Sequence, residues 1–179
     1  IIYMNGIRLS ADLEASIQEV VVSEIMNDVS TFRISISDPD GKWVDHRDIT
    51  MGTKITVLMG YKDMVVEMLS GEITAISSYF GKSIRGDVII TGSDFLHRCD
   101  RGYKTQACNN KSGADILRKL SNDGGSNASA TGANTVKKFH IQKERTDIQV
   151  MRDLAENTGS GFITRLGNLS FSPLSNMSS

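Results

Sequence analysis

Thr31-Phe32-Arg33-Ile34-Ser35-Ile36-Ser37 decides the fold class of this 179-residue chain. Successive strand side chains point to opposite faces, so Phe32, Ile34 and Ile36 face a core while Arg33, Ser35 and Ser37 face water. Asp38-Pro39-Asp40-Gly41 follows as a turn, with Pro presetting φ and Gly accepting a positive φ. Upstream, Ile17 to Ile25 is rich in Val and Ile, which suits a second strand. Downstream, strands are predicted over Lys54–Gly60, Val65–Leu69, Gly71–Tyr79 and Ser83–Thr91. Gly60, Lys62-Asp63, Gly71, Gly81, Gly86 and Gly92 punctuate them. Short strands at roughly 8 to 12 residue spacing indicate a sandwich or barrel rather than a βαβ fold. Residues 1–95 therefore read as a small β-barrel.

The pattern changes after Asp94. Ser112-Gly113-Ala114-Asp115 opens an apolar run (Ile116, Leu117, Leu120) as a capping box does, with Asp in place of Glu, and Gly124-Gly125 ends it. Residues 121–134 contain no large apolar side chain, which predicts a flexible loop outside any core. A short strand is expected over Val136–Ile141. Thr146-Asp147-Ile148-Gln149 starts a second helix, whose inner face is Ile148, Met151, Leu154 and Ala155 and whose stop is Gly159. Gly161–Arg165 and Asn168–Ser172 flank Leu166-Gly167 as a hairpin. Residues 96–179 thus form a mixed α/β region with two short helices, and the chain as a whole is mainly β, of the α+β class.

Composition excludes several functions. Twenty Lys and Arg stand against 21 Asp and Glu, a net charge of -1, so the basic excess of a phosphate-neutralising protein is missing. The hydrophobic fraction of 39% argues against wholesale disorder. No apolar run approaches the roughly 18 to 20 residues of a membrane-spanning helix. The start, Ile1-Ile2-Tyr3-Met4-Asn5, lacks the features of a secretory signal. It also lacks an initiator Met, and Ser175–Ser179 is a polar tail, so the expectation is a piece of a longer protein. Cys99 and Cys108 form neither a CxxC pair nor half of a zinc set and read as two reduced thiols.

Candidate chemistry is sparse. His46, His97 and His140 lack the spacing of a helical metal pair, so no metal or other cofactor is expected. Glu67, Glu72 and Asp87 fall on predicted strands, where two carboxylates would need a separation of about 5 to 9 Å for glycoside hydrolysis. Solvated strand faces account for them better. Ser93 and Ser160 lack the strand–turn–helix setting of a nucleophile elbow, and no GK[ST] follows the glycines near 124. Trp43 is the only tryptophan, few aromatic platforms for a sugar. No catalytic residue is assigned, and the expectation is a protein that is not an enzyme.

The order of motifs resembles a known family. Met51-Gly52-Thr53-Lys54-Ile55-Thr56-Val57 and Leu69-Ser70-Gly71-Glu72-Ile73-Thr74-Ala75-Ile76 resemble a strand pair of phage and injection-system hubs. Ile90-Thr91-Gly92-Ser93-Asp94-Phe95-Leu96-His97-Arg98 resembles their crossover "V-x-G-x-D-x-L-x-R". Arg101-Gly102-Tyr103-Lys104-Thr105, followed by Ala114-Asp115-Ile116-Leu117, resembles "R-G-x-x-T … D-I-L". Thr146 to Gly159 resembles the helix "T-D-x-x-F/L-x-x-L-A-E-x-x-G", and Leu169-Ser170-Phe171-Ser172-Pro173 the strand "L-x-F-x-P". The similarity is to the late control protein D, VgrG and gp27-like baseplate hub family, over its N-terminal part.

That resemblance implies a gp27-like hub fold of two related β-barrels joined by a mixed α/β region, with the second barrel incomplete here. It further implies a structural subunit of a phage tail or contractile injection system. Three subunits would form a ring joining the tail tube protein to the central spike protein, in contact with baseplate wedge proteins. DNA or effector proteins would pass through the lumen without specific binding, and no part would insert into a membrane. The location implied is the virion or injection-system baseplate, assembled in the bacterial cytoplasm. No interface residue follows from the motifs. A tail-tip receptor- or glycan-binding β domain, or a tail-associated cell-wall hydrolase, are the competing expectations.

Overall fold

The computed structural model describes residues 1–61, 64–80 and 86–177. These fall into two compact units, Ile1–Glu24 with Ser30–Asp94, and Ile25–Val29 with Phe95–Ser179.

The first unit contains β1 (Ile2–Met4), β2 (Ile7–Arg8), α1 (Ala11–Ser16), β3 (Ile17–Ser23), β4 (Thr31–Ser37), β5 (Lys54–Tyr61), β6 (Met64–Phe80) and β7 (Gly86–Ser93). The strands form one antiparallel sheet of seven in the order β2-β1-β5-β6-β7-β4-β3. The alternation in β4 does what its pattern requires, burying Phe32, Ile34 and Ile36. They join Ile55, Val57, Ile73, Val88 and Ile90 in one apolar core, with Trp43 and Leu13 beside them. Trp43 is held there by hydrogen bonds, its amide donating to Asp38 Oδ2 and its indole N–H to Ser16 Oγ.

The mainly β class stands, but closure of this sheet into a barrel does not. Among the described residues its edges are β2 and β3, and no ladder joins them. Closure needs edge strands matched in length and register, and β2 has two residues against the seven of β3. Gly71 is also misread as punctuation. Val65–Leu69 and Gly71–Tyr79 lie within one continuous strand, β6. A Cβ on Gly71 would come 2.2 Å from the Ser93 carbonyl oxygen, and one on Gly92 would come 2.2 Å from the Phe32 ring. Both glycines let neighbouring groups approach closely. Of the sequence predictions, Ser83–Arg85 and the turn residues Lys62, Asp63 and Gly81 lie outside the described residues.

The second unit contains α2 (Leu96–Cys99), β8 (Lys104–Ser112), α3 (Gly113–Asp123), β9 (Ala128–Ala130), β10 (Val136–Arg145), α4 (Asp147–Thr158), β11 (Ser160–Arg165) and β12 (Asn168–Pro173), then a 3-10 turn over Leu174–Asn176. β8 and β10 form a two-stranded antiparallel ribbon, while β11, β12 and β9 form a three-stranded sheet. Both capping boxes are present. Ser112 and Asp115 close the start of α3, Thr146 and Gln149 that of α4, and Gly159 ends α4 at φ 60°. Leu166 and Gly167 both take positive φ, as a two-residue hairpin turn requires.

The expected loop at 121–134 is overturned. Its first residues finish α3, Ala128–Ala130 pairs in parallel with β12, and Ala130 and Ala133 lie in the core with Leu117, Ile148 and Phe162. Small side chains fit where a strand and a helix crowd together, so a shortage of bulk did not mean a shortage of packing. The unit also takes Ile25–Val29, which the sequence reading leaves in the first domain. Asn27 explains it: its amide and side-chain oxygen bond the Phe162 carbonyl and amide, and its carbonyl accepts from Arg152.

Candidate assembly surface

β5 and β6 run past the rest of their sheet as an arm. β1 pairs β5 up to Val57, Ile1 bonds the backbone of Leu58, and β7 pairs β6 only from Glu72, so Met59–Tyr61 pair with Met64–Val66 alone. A bulge between Val57 and Leu58 sets the register beyond it, with Met59 opposite Val66 and Tyr61 opposite Met64. Directly paired residues share a face, and period two carries that face from the buried Ile55 and Val57 out through Met59 and Tyr61. The core face of the sheet thus continues as an apolar stripe into solvent. Met59 is half-buried against the core, while Tyr61 and Met64 are each 79% exposed and Val66 61%. Gly60 is required at the narrow end of the arm, since a Cβ there would lie 1.9 Å from the Met64 carbonyl oxygen.

A second arrangement, absent from the sequence reading, is a polar chain inside the second unit. Asp147 is buried and accepts from Lys104 Nζ at 2.5 Å and from Gln142 Nε2 at 2.9 Å. Gln142 in turn accepts from Gln106 Nε2, and Gln106 accepts from Lys119 Nζ at 2.7 Å. The chain links β8, β10, α3 and α4, and it holds the Lys104 ammonium above its ordinary pKa, chiefly through the bond to Asp147. The only signal for it in the sequence is the polar character of Gln106 and Gln142 within strands.

The candidate catalytic residues are not brought together. Glu72 is opposite Ser93 and Asp87 opposite Tyr79 on the same β6–β7 ladder, about 20 Å apart at some 3.3 Å per residue. Glu67 lies five positions from Glu72 along β6, on the arm. Neither separation suits a pair flanking a glycosidic bond. His46 is half-buried in a loop, His97 is buried in α2, and His140 is in β10. Among the described residues no group of three metal-ligating side chains converges. Ser160 is buried and donates to the Thr158 carbonyl, and neither Cys99 nor Cys108 is in a disulfide, the Cys99 thiol donating to the Leu120 carbonyl. The crossover motif has a packing role: Gly92 lies under Phe32, Asp94 accepts from the Ser30 amide at 3.1 Å, and Leu96 is fully buried.

The fold is one shared with solved tail and secretion-apparatus proteins. The 43 kDa tail protein of prophage MuSo2 from Shewanella oneidensis is similar with a TM-score of 0.66 at 14% identity, over 87% of this chain and 54% of that one. An E. coli type VI secretion component, described as structurally similar to the bacteriophage T4 tail proteins gp27 and gp5, matches with a TM-score of 0.66 at 11% identity. That match covers 96% of this chain and 48% of the other. The Francisella PdpA–VgrG complex matches with a TM-score of 0.57 at 10% identity, over 87% and 24% respectively. The chain spans about half the length of the first two of these structures. No curated protein matches it. The chain belongs to the Alg8 N-terminal domain family, whose model matches residues 1–177. The hub resemblance of the motifs is therefore met in the fold, while the matching family model carries a different description.

Proposed function

We propose that this chain is the hub-like part of a structural subunit in a phage tail or contractile injection system. Three copies form a ring between tail tube and central spike, touching wedge proteins at its rim, while DNA or effector proteins pass through the lumen. Assembly takes place in the bacterial cytoplasm. In this reading residues 1–95 provide a tube-like domain and residues 96–179 the linker leading to a second barrel. No catalytic step is assigned.

The observation that carries the reading is the apolar stripe on the arm, in a chain most of which is similar in fold to tail proteins. Exposed stripes of this kind, rimmed by polar surface, mark protein contacts. A ring subunit needs such a surface more than it needs a cleft. The test is the mass in solution, by light scattering on a size-exclusion column over a range of concentrations. A mass three times the 19.6 kDa of one chain, reverting to 19.6 kDa in the Met64→Ser, Val66→Ser double variant, is the expected outcome. A monomer at every concentration, both for this chain and for one extended to the length of its structural neighbours, overturns the ring. Ligand binding by that monomer would move the glycan-binding alternative ahead.

A further inference from the structure

The net charge of -1 conceals a division. The first unit carries 8 Lys and Arg against 13 Asp and Glu, and the second 12 against 8, or -5 and +4. In the second unit much of the basic charge is spent internally. Lys104 pairs with Asp147, Arg145 with Asp153, and Arg152 with Asp28. Lys111 and Lys119 are not spent in this way. The Lys111 ammonium makes no hydrogen bond or close ion pair among the described residues, acting on the Asp115 carboxylate only at longer range, and the Lys119 ammonium bonds only the neutral Gln106.

These two ammonium groups flank a groove of about 320 Å³ between β8 and α3. Three consecutive strand residues, Ala107, Cys108 and Asn109, line its strand side. Consecutive residues point to opposite faces, so a cavity touched by all three lies along the backbone edge. That edge is open: β8 pairs with β10 on one side and, among the described residues, with nothing on the other. Ile116 supplies an apolar floor from α3. The one carboxylate in the groove is already occupied, since Asp115 accepts from Ser112 and from Arg118. A second cavity of about 220 Å³ shares Lys111 and Ile116, and His140, Asn157 and Thr158 continue the groove beyond them.

We infer that the β8–α3 groove binds an extended acidic segment of a partner protein, which adds as a strand to the free edge of β8. Strand addition uses main-chain hydrogen bonds for affinity and alternate side-chain positions for specificity. Every second side chain of the guest then faces α3. An apolar one covers Ile116, and carboxylates two positions to either side meet Lys111 and Lys119. A basic guest is excluded by the same two lysines. The inference does not depend on ring formation, because a single chain holds the whole groove.

The probe is a fluorescein-labelled heptapeptide, Thr-Glu-Thr-Val-Thr-Glu-Thr, titrated with the full chain at low salt and read by anisotropy. Its counterpart has Lys in place of both Glu. The acidic peptide is expected to bind at least about tenfold more tightly than the basic one, since charge complementarity governs partner choice. Hydrogen exchange of the backbone amides in Lys104–Ser112 should slow on binding. In the Lys111→Glu, Lys119→Glu double variant the preference should reverse, an outcome that a misfolded protein cannot produce. Equal binding of both peptides, protection confined to other segments, or no binding of the acidic peptide at millimolar concentration overturns the inference.

Discussion

Gly92 and Asp147 show how single positions in this chain carry packing rather than chemistry. A methyl group at position 92 meets the Phe32 ring at 2.2 Å and the Glu72 carbonyl at 2.3 Å, and backbone cannot retreat as a flexible side chain can. Gly92→Ala should therefore cost about 1 to 3 kcal/mol, as overpacking of a core does, read as a lower urea midpoint with an unchanged slope. Asp147→Ala leaves Gln142 short of an acceptor in a buried setting. A loss of about 1 to 3 kcal/mol is expected for that, little of it from Lys104, which is 41% exposed and can turn to water. The pH signature has a definite sign. Lys104 titrates above its ordinary value of 10.5 in the fold, so its contribution is complete below that pH and is lost as pH rises through the raised value. The gap between wild type and Asp147→Ala should narrow in alkaline urea titrations.

Among the elements, the helix starts were legible because capping is local. The hydroxyl of Ser112 and the carboxylate of Asp115 lie three residues apart and satisfy each other's backbone amides. The Ser112 hydroxyl, then its amide, hold the Asp115 carboxyl below its ordinary value of 3.8. The stabilisation is present above that pH and disappears as pH falls through the lowered value. Urea midpoints of wild type and Asp115→Asn should differ near neutral pH and converge as pH falls through the lowered value, where the Asp115 carboxyl becomes protonated. Strand ends were less legible. Gly71 looks like punctuation and lies inside a 17-residue strand, because its reason for being glycine is a neighbour 22 positions away. The arm shows the same limit. Its apolar stripe is invisible to strict alternation because the bulge at Val57 and Leu58 shifts one strand's pattern against the other.

Over the whole molecule, the two cores form from separate residue sets, and both units are discontinuous in sequence. Ile25–Val29 belongs with residues 95–179 through Asn27, which takes φ 62° and bonds Phe162 twice and Arg152 once. Asn tolerates that left-handed conformation better than most residues. Asn27→Ala removes the Phe162 acceptor and strains the backbone, so a loss of about 1 to 3 kcal/mol is expected. It should register in the unfolding of the second unit, followed by hydrogen exchange of α4 and β11, and leave β4 and β7 unchanged.

Legible in the linear chain were the mainly β class, most strands, both capped helices, the β11–β12 hairpin and an order of motifs that resembles tail hubs. Those features depend on period, caps and turns, interactions spanning a few residues, and each is written within its own segment. Long-range packing set the rest: the first sheet stays open, residues 128–133 complete a core, and Asn27 clamps a distant strand. It likewise decided the exposed arm and the β8–α3 groove. Each of these depends on which distant segments become neighbours, and a linear pattern of apolar and polar residues does not contain that information.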